Sequence, residues 1–190
     1  MEIAIIAFDN FTDLDLILHW DILSRVKTYG KIENWSVKIL GTQETHLSSL
    51  GLPIPTHGHV RMAAEADGII LCSGRGTRNL LFDEEYLLTL GLNPEKQFIG
   101  AQCSGSLILG ALGFLRNVMV TAYPPILDEL KNYEAIPVNE PLVVMNKIAT
   151  ASNCLGGQYL SRWLIESLAG KEVANKVMLT VTPLAKEAVR

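Results

Sequence analysis

The sequence predicts an α/β domain, a mostly parallel sheet with helices on both faces, occupying residues 1–190 as one unit. Three observations lead there. The runs "EIAIIAF", "WSVKILG", "DGIILCSG" and "QFIGAQ" are short, apolar and β-branched, the form of strands in a parallel sheet covered by helices. Longer runs of helical period separate them. The length of 190 residues, 48% hydrophobic and 19% charged, supplies enough apolar side chains for one core.

"EIAIIAF" (2–8) is the first strand. "DLILHWDILSRVKTYG" follows, with Leu14, Leu16, Leu18, Ile22, Leu23 and Val26 as its helix face and Gly30 as its stop. "WSVKILG" is the second strand, and "THLSSLGLPIPTHG", which turns at Gly51 and holds two prolines, is a hairpin or edge excursion. "DGIILCSG" (67–74) is the third parallel strand, "GTRNLLFDEEYLLTLG" a helix, and "QFIGAQ" (97–102) a fourth strand that runs into Cys103. After the helix "SGSLILGALGFL" come "NVMVTA", a proline-initiated helix "PPILDELKNY" and an antiparallel pair "LVVMNKIATAS". The helices "GGQYLSRWLIESLAG" and "KEVANKVML" close the chain.

Composition narrows the function classes. A formal net charge of -4 with scattered Lys and Arg offers no basic face, so nucleic acid is not an expected partner. No stretch reaches the ~20 uncharged apolar residues of a membrane span, and "MEIAIIAFDNF" is too short and too acidic for a signal peptide. The expectation is a cytoplasmic protein with no membrane partner. Cys72, Cys103 and Cys154 form no CxxC pair and no metal spacing with the four histidines, so reduced thiols without metal or cofactor are expected.

Cys103 is the residue of most chemical interest. It ends a buried strand and opens a helix, between the small residues Gly100, Ala101, Ser104 and Gly105. Such a turn lies at the carboxyl edge of the sheet, where open α/β folds bind ligands. A nucleophile elbow has the same form, with a thiol in place of a hydroxyl. Backbone N–H groups and the helix dipole there favour a thiolate and can receive a developing negative charge. The same spacing also suits a small buried cysteine in a βα turn. Cys72, inside its strand, reads as core filler.

"CSGRGTRNL" places Gly74, Arg75 and Gly76 between a strand and a helix, so their N–H groups can point beside Cys103 and pair with the Ser104 N–H as an oxyanion hole. Read for backbone geometry alone, the glycines make a tight turn. "FDNFTDLDL" offers Asp9, Asp13 and Asp15, with Thr12 or Asp13 as a helix cap.

Four segments in register, "FTDLDL", "SGRGT", "AQCSGSLILGALGFL" and "TASNCLGGQYLSRWLIESLAG", resemble the ThiJ/PfpI superfamily across nearly the whole chain. The branch most similar is that of the isonitrile hydratases. The resemblance implies a three-layer flavodoxin-like sandwich and a homodimer. It makes Cys103 the nucleophile, Asp15 the carboxyl beside it, Ser104 the hydroxylated neighbour, and Gly74 or Arg75 the second oxyanion donor. It also brings the loop with Asn153 and Cys154 near the site, where Cys154 either resolves an oxidised Cys103 or is a small residue before a helix; the second reading is preferred.

The chain departs from this branch at Ile17, Leu18 and His19, where the hydratases carry Thr-Gly-Pro, and this leaves the pocket shape open. It has Ser104 where other branches have a histidine, and Tyr123 where some place one after the next strand. No Cys-His dyad is therefore assembled by a matched position. His19, one turn beyond Asp15, is either a base approaching the cleft or a partly buried residue packing on Trp20 or a neighbouring subunit, the latter preferred. His46, His57 and His59 read as peripheral. No histidine follows His59, which excludes a glutamine amidotransferase.

The function expected is addition of water to a small carbon electrophile such as an isonitrile, with a protonated Asp15 of raised pKa as acid and then base. A redox-sensing thiol without turnover, or a non-catalytic small-ligand domain, is the alternative.

Overall fold

The computed structural model describes residues 1–183. β1 (Glu2–Ile6) is flanked by β2 (Ser36–Gly41) after the long helix α1 (Asp13–Tyr29). The excursion "THLSSLGLPIP" forms an antiparallel pair of its own, β3 (Thr45–Leu47) and β4 (Pro53–Pro55), and β5 (Gly58–His59) returns to the sheet edge. A 3-10 helix, Val60–Glu65, leads to β6 (Gly68–Leu71). The run predicted as one helix over 76–91 is two, α2 (Thr77–Leu80) and α3 (Glu84–Leu90), because the Asp83 side chain accepts from Tyr86 N at 2.9 Å and starts a new helix.

β7 (Phe98–Gln102) runs into a 3-10 turn, Cys103–Gly105, and α4 (Ser106–Ala111). "NVMVTA" supplies only a short β8 (Met119–Val120), which pairs with β9 (Ile136–Pro137) outside the main sheet. Between them "PPILDELKNY" is a 3-10 helix, Pro124–Tyr133. β10 (Leu142–Met145) and β11 (Ile148–Ala151) are the predicted antiparallel pair, and α5 (Gly157–Ala169) and α6 (Lys171–Met178) close the described chain.

The seven-stranded sheet has the order β10-β11-β7-β6-β1-β2-β5, parallel except for β10. β1, β6 and β7 carry Ile3, Ile5, Ile6, Ile69, Ile70, Leu71 and Ile99, all fully buried, which explains their unbroken apolar character. α1, α5 and α6 pack together, and α5 lies close over β6 and β7: a side chain on Gly68 or Gly100 would meet Leu164, Leu168 or Leu160. In α1, Leu16, Ile22, Leu23 and Val26 face the core, whereas Leu14 is exposed in the first turn, contrary to the predicted face.

The chain moves from β1 outward to β2 and β5, then crosses back to β6 on the other side of β1. The carboxyl ends of β1 and β6 therefore diverge at a topological switch point, where a crevice opens. Among the described residues no helix is long and apolar enough to cross a membrane.

Candidate active site

The loops that meet at this crevice interlock. Thr12 N–H donates to Ser73 O at 2.7 Å, Gly76 N–H to Asn10 O at 3.3 Å, and Phe11 bridges to Gly74. The two glycines are needed for that approach: a Cβ on Gly74 would lie 2.2 Å from Asn10 O, and one on Gly76 2.0 Å from Asp9 O. Gly76 thus serves backbone geometry, and its N–H is taken, which corrects its assignment as an oxyanion donor. Gly74 N–H is also taken, by Ser104 Oγ at 3.3 Å. Ser104 Oγ is 3.1 Å from Thr77 Oγ1, so this hydroxyl braces the loop. The Arg75 N–H has no hydrogen-bond partner among the described residues.

Cys103 has φ of +54°, a left-handed conformation that costs a non-glycine residue on the order of 1–2 kcal/mol. The turn that holds it is pressed against β6, since a Cβ on Gly105 would sit 2.5 Å from Leu71 O. The side chain is 9% exposed and lines a cleft of about 790 Å³ together with Thr12, Ser73, Arg75, Tyr123 and Cys154.

Burial pushes the Cys103 thiol above its ordinary pKa; the Ser73 hydroxyl pulls it back, the Asp15 charge pushes it further up, and the Ser104 N–H pulls it down. The sequence favours a thiolate at this turn. In the structure desolvation outweighs the donors, and the protonated thiol is the favoured form.

Asp15 is fully buried beneath Ser73, whose Oγ donates to Oδ2. Burial raises its carboxyl pKa, against the lowering effect of the Cys154 thiol and the Ser73 hydroxyl. Oδ1 is enclosed without a partner of its own. Ser73 thus bonds Asp15 and lines the cleft with Cys103, and its hydroxyl lowers the pKa of both groups. Sequence reasoning missed it; the available signal was its place as the first residue beyond the apolar run "IILC", at the mouth of the switch point.

Cys154 also departs from the preferred expectation of a spacer. It lines the same cleft, and its thiol is pushed up to about 12 by burial, by the hydrogen bond and charge of Asp15, and by the charge of Cys103. Buried Gln102, likewise unforeseen, fixes this loop beside the elbow: its amide donates to Asn153 O and, at 3.4 Å, to Cys154 O. Asn153 and Tyr123 line the cleft at its exposed edge.

His19 does not reach the cleft. α1 runs unbroken through Ile17–His19, and it turns this imidazole into the α1–α5 interface, fully buried, with Nδ1 2.7 Å from Ser161 Oγ. Burial lowers its pKa to about 4, with the Gln102 amide opposing, so it is neutral. Its hydrogen-bond partner is Ser161, while Trp20 stacks on His57, with ring centroids 5.2 Å apart. His46 lies in the β3–β4 hairpin away from the cleft, buried and 3.1 Å from Asp9 Oδ1. None of the cleft-lining residues is a histidine, and no cluster of metal-ligating side chains occurs among the described residues.

Residues 1–167 match the DJ-1/PfpI family. The chain belongs to that family. Over 180 residues it is 26% identical to the isonitrile hydratase of Pseudomonas putida, spanning 94% of this chain and 77% of that protein. Its fold superimposes on Schizosaccharomyces pombe DJ-1 with a TM-score of 0.82 at 16% identity, over 97% of this chain and all (100%) of the other. A ThiJ/PfpI family protein from Pseudomonas syringae gives a TM-score of 0.84 at 21% identity, over 97% of this chain and 76% of that one. The expected family and mostly parallel α/β sandwich are thereby established.

Proposed function

We propose that this DJ-1/PfpI protein is a cysteine-dependent hydratase that adds water to an isonitrile and releases the N-substituted formamide. The observation that carries the reading is a buried carboxyl, Asp15, bonded to the Ser73 hydroxyl, which lines the same cleft as the Cys103 thiol. The similarity to an isonitrile hydratase supports the choice of substrate.

Desolvation raises both Asp15 and Cys103, so the pair favours holding a proton rather than two charges. With one proton shared by the pair, the Cys103 thiol gives it up to Asp15, and the sulfur attacks the terminal isonitrile carbon to form a C–S bond. Ser73, which lines the cleft, delivers a proton to that carbon as the Asp15 acid replaces it, leaving a thioimidate. The Asp15 carboxylate, again through Ser73, then takes a proton from the water that attacks the same carbon. The Asp15 acid protonates the nitrogen, the new hydroxyl gives its proton to the departing sulfur as the C–S bond breaks, and the formamide leaves with the thiol restored. Ser104 N–H and Arg75 N–H are the donors proposed for the charge that develops. Cys103→Ala should abolish formamide production and Asp15→Asn should nearly do so; undiminished turnover by either variant would eliminate the proposal.

Cys154 favours a second reading, a redox-responsive thiol, because its sulfur shares Asp15 and the cleft with Cys103. Selective oxidation of Cys103 by mild peroxide, seen by mass spectrometry in a protein that turns over no isonitrile, would select it. Either reading takes a small molecule as partner, and the free thiols of Cys72, Cys103 and Cys154 suit the reducing cytoplasm. A homodimer belongs to the same proposal: Leu14 and Ile17 are exposed on the first turns of α1, and Leu47, Leu50 and Leu52 on the hairpin that packs against the same loop. Sedimentation equilibrium tests it, a monomer being the contrary result.

A further inference from the structure

Among the charged side chains that line the cleft, Arg78 and Glu129 neutralise each other at 2.6 Å. Arg75 has no ion pair among the described residues. Its backbone is clamped between Gly74 and Gly76, both pressed onto the loop after β1, while its side chain is exposed at the cleft. The clamp matters because a cation on a fixed backbone loses less freedom when it binds than one on a mobile loop. The remaining wall offers Pro125, Ile126 and Leu155, apolar, and the exposed Tyr123.

Resting on the hydratase reading, we propose that the substrate is an anionic isonitrile, a carboxylate joined through a short apolar segment to the isocyano group, and that Arg75 is its specificity-determining residue. The guanidinium takes the carboxylate through two parallel N–H···O bonds, a geometry that lysine cannot reproduce. The apolar wall takes the segment between, and the isocyano carbon is left to Cys103. The paired Arg78 adds no net charge, so the cleft lining carries one uncompensated positive charge in a chain of formal net charge -4.

The test compares isocyanoacetate with its neutral methyl ester as substrates. Separately, it compares N-formylglycine with N-formylglycine amide as ligands of Cys103→Ala, measured by calorimetry. The anion is expected to be preferred by about tenfold or more in both, as for a hydrogen-bonded ion pair, and less so at high salt. Arg75→Gln should bring both ratios near one, and Arg75→Lys should restore part of the preference. Equal treatment of anion and neutral ligand by the unaltered residue 75, no binding of either, or a preference that survives Arg75→Gln, overturns the proposal. Absence of turnover with any isonitrile, alongside Arg75-dependent anion binding, would instead remove the hydratase reading and leave this one standing as anion recognition.

Discussion

Ser73→Ala removes one hydroxyl and leaves the path of β6 unchanged. Ser73 is 1% exposed; its Oγ donates to Asp15 Oδ2 and stands 3.4 Å from Thr12 Oγ1. Asp15 Oδ1 already lacks a partner, so truncation strips the carboxyl of its one hydroxyl donor. A buried acceptor left unpaired costs about 1–3 kcal/mol. For a domain of this size each kcal/mol lowers the unfolding midpoint by about 2–4 °C. The chemical loss is greater, because a positioned acid-base group contributes about 10²–10⁴ in rate, and that is the fall expected in formamide production. A substrate-free assay separates chemistry from packing. The hydroxyl lowers the pKa of both Asp15 and Cys103, so its removal moves both upward, and alkylation of Cys103 by iodoacetamide should begin at higher pH. Wild-type turnover together with an unmoved alkylation profile would refute the coupling of the two groups through Ser73.

The buried Asp15 has a raised pKa, so its contribution to stability is present below the ordinary carboxyl range and is lost as pH rises through the folded value. Asp15→Asn should therefore unfold at higher denaturant than wild type at pH 7 while being nearly inactive, and a lower midpoint at that pH would contradict a desolvation cost larger than the carboxyl's hydrogen bonds repay. His19 has the opposite sign: with its pKa lowered from 6.5 to about 4, its contribution is present above 6.5 and disappears as pH falls through 4, about 3 kcal/mol in all. His19→Leu should flatten that acid limb in denaturant titrations at several pH values, at a cost in neutral stability from the stranded Ser161 hydroxyl. Gly105→Ala should lose about 1–3 kcal/mol and most of the Cys103 reactivity, since its methyl would stand 2.5 Å from Leu71 O and displace the turn; an active, equally stable variant would show the elbow to be slack.

The strands were legible wherever the apolar runs were buried on both faces, because solvent exclusion alone demands such runs, as with "EIAIIAF" and "DGIILCSG". Boundaries set by a single side chain were not: Asp83 divides a helix that periodicity joins. The elbow at Cys103 was legible for a similar reason, since few residue patterns allow a strand to turn at once into a helix.

The sequence by itself determined the layered α/β class, the exposed edge of the sheet and the thiol at its turn, all consequences of local pattern and chain order. Only the tertiary structure decided which side chains act together. Ser73, Asp15 and Cys154 come from the ends of different elements, and their approach depends on how α1, β6 and α5 pack. It also decided the protonation states, because desolvation is a property of the assembled core: the same packing that buries His19 neutral raises the thiol that the sequence would have left as an anion.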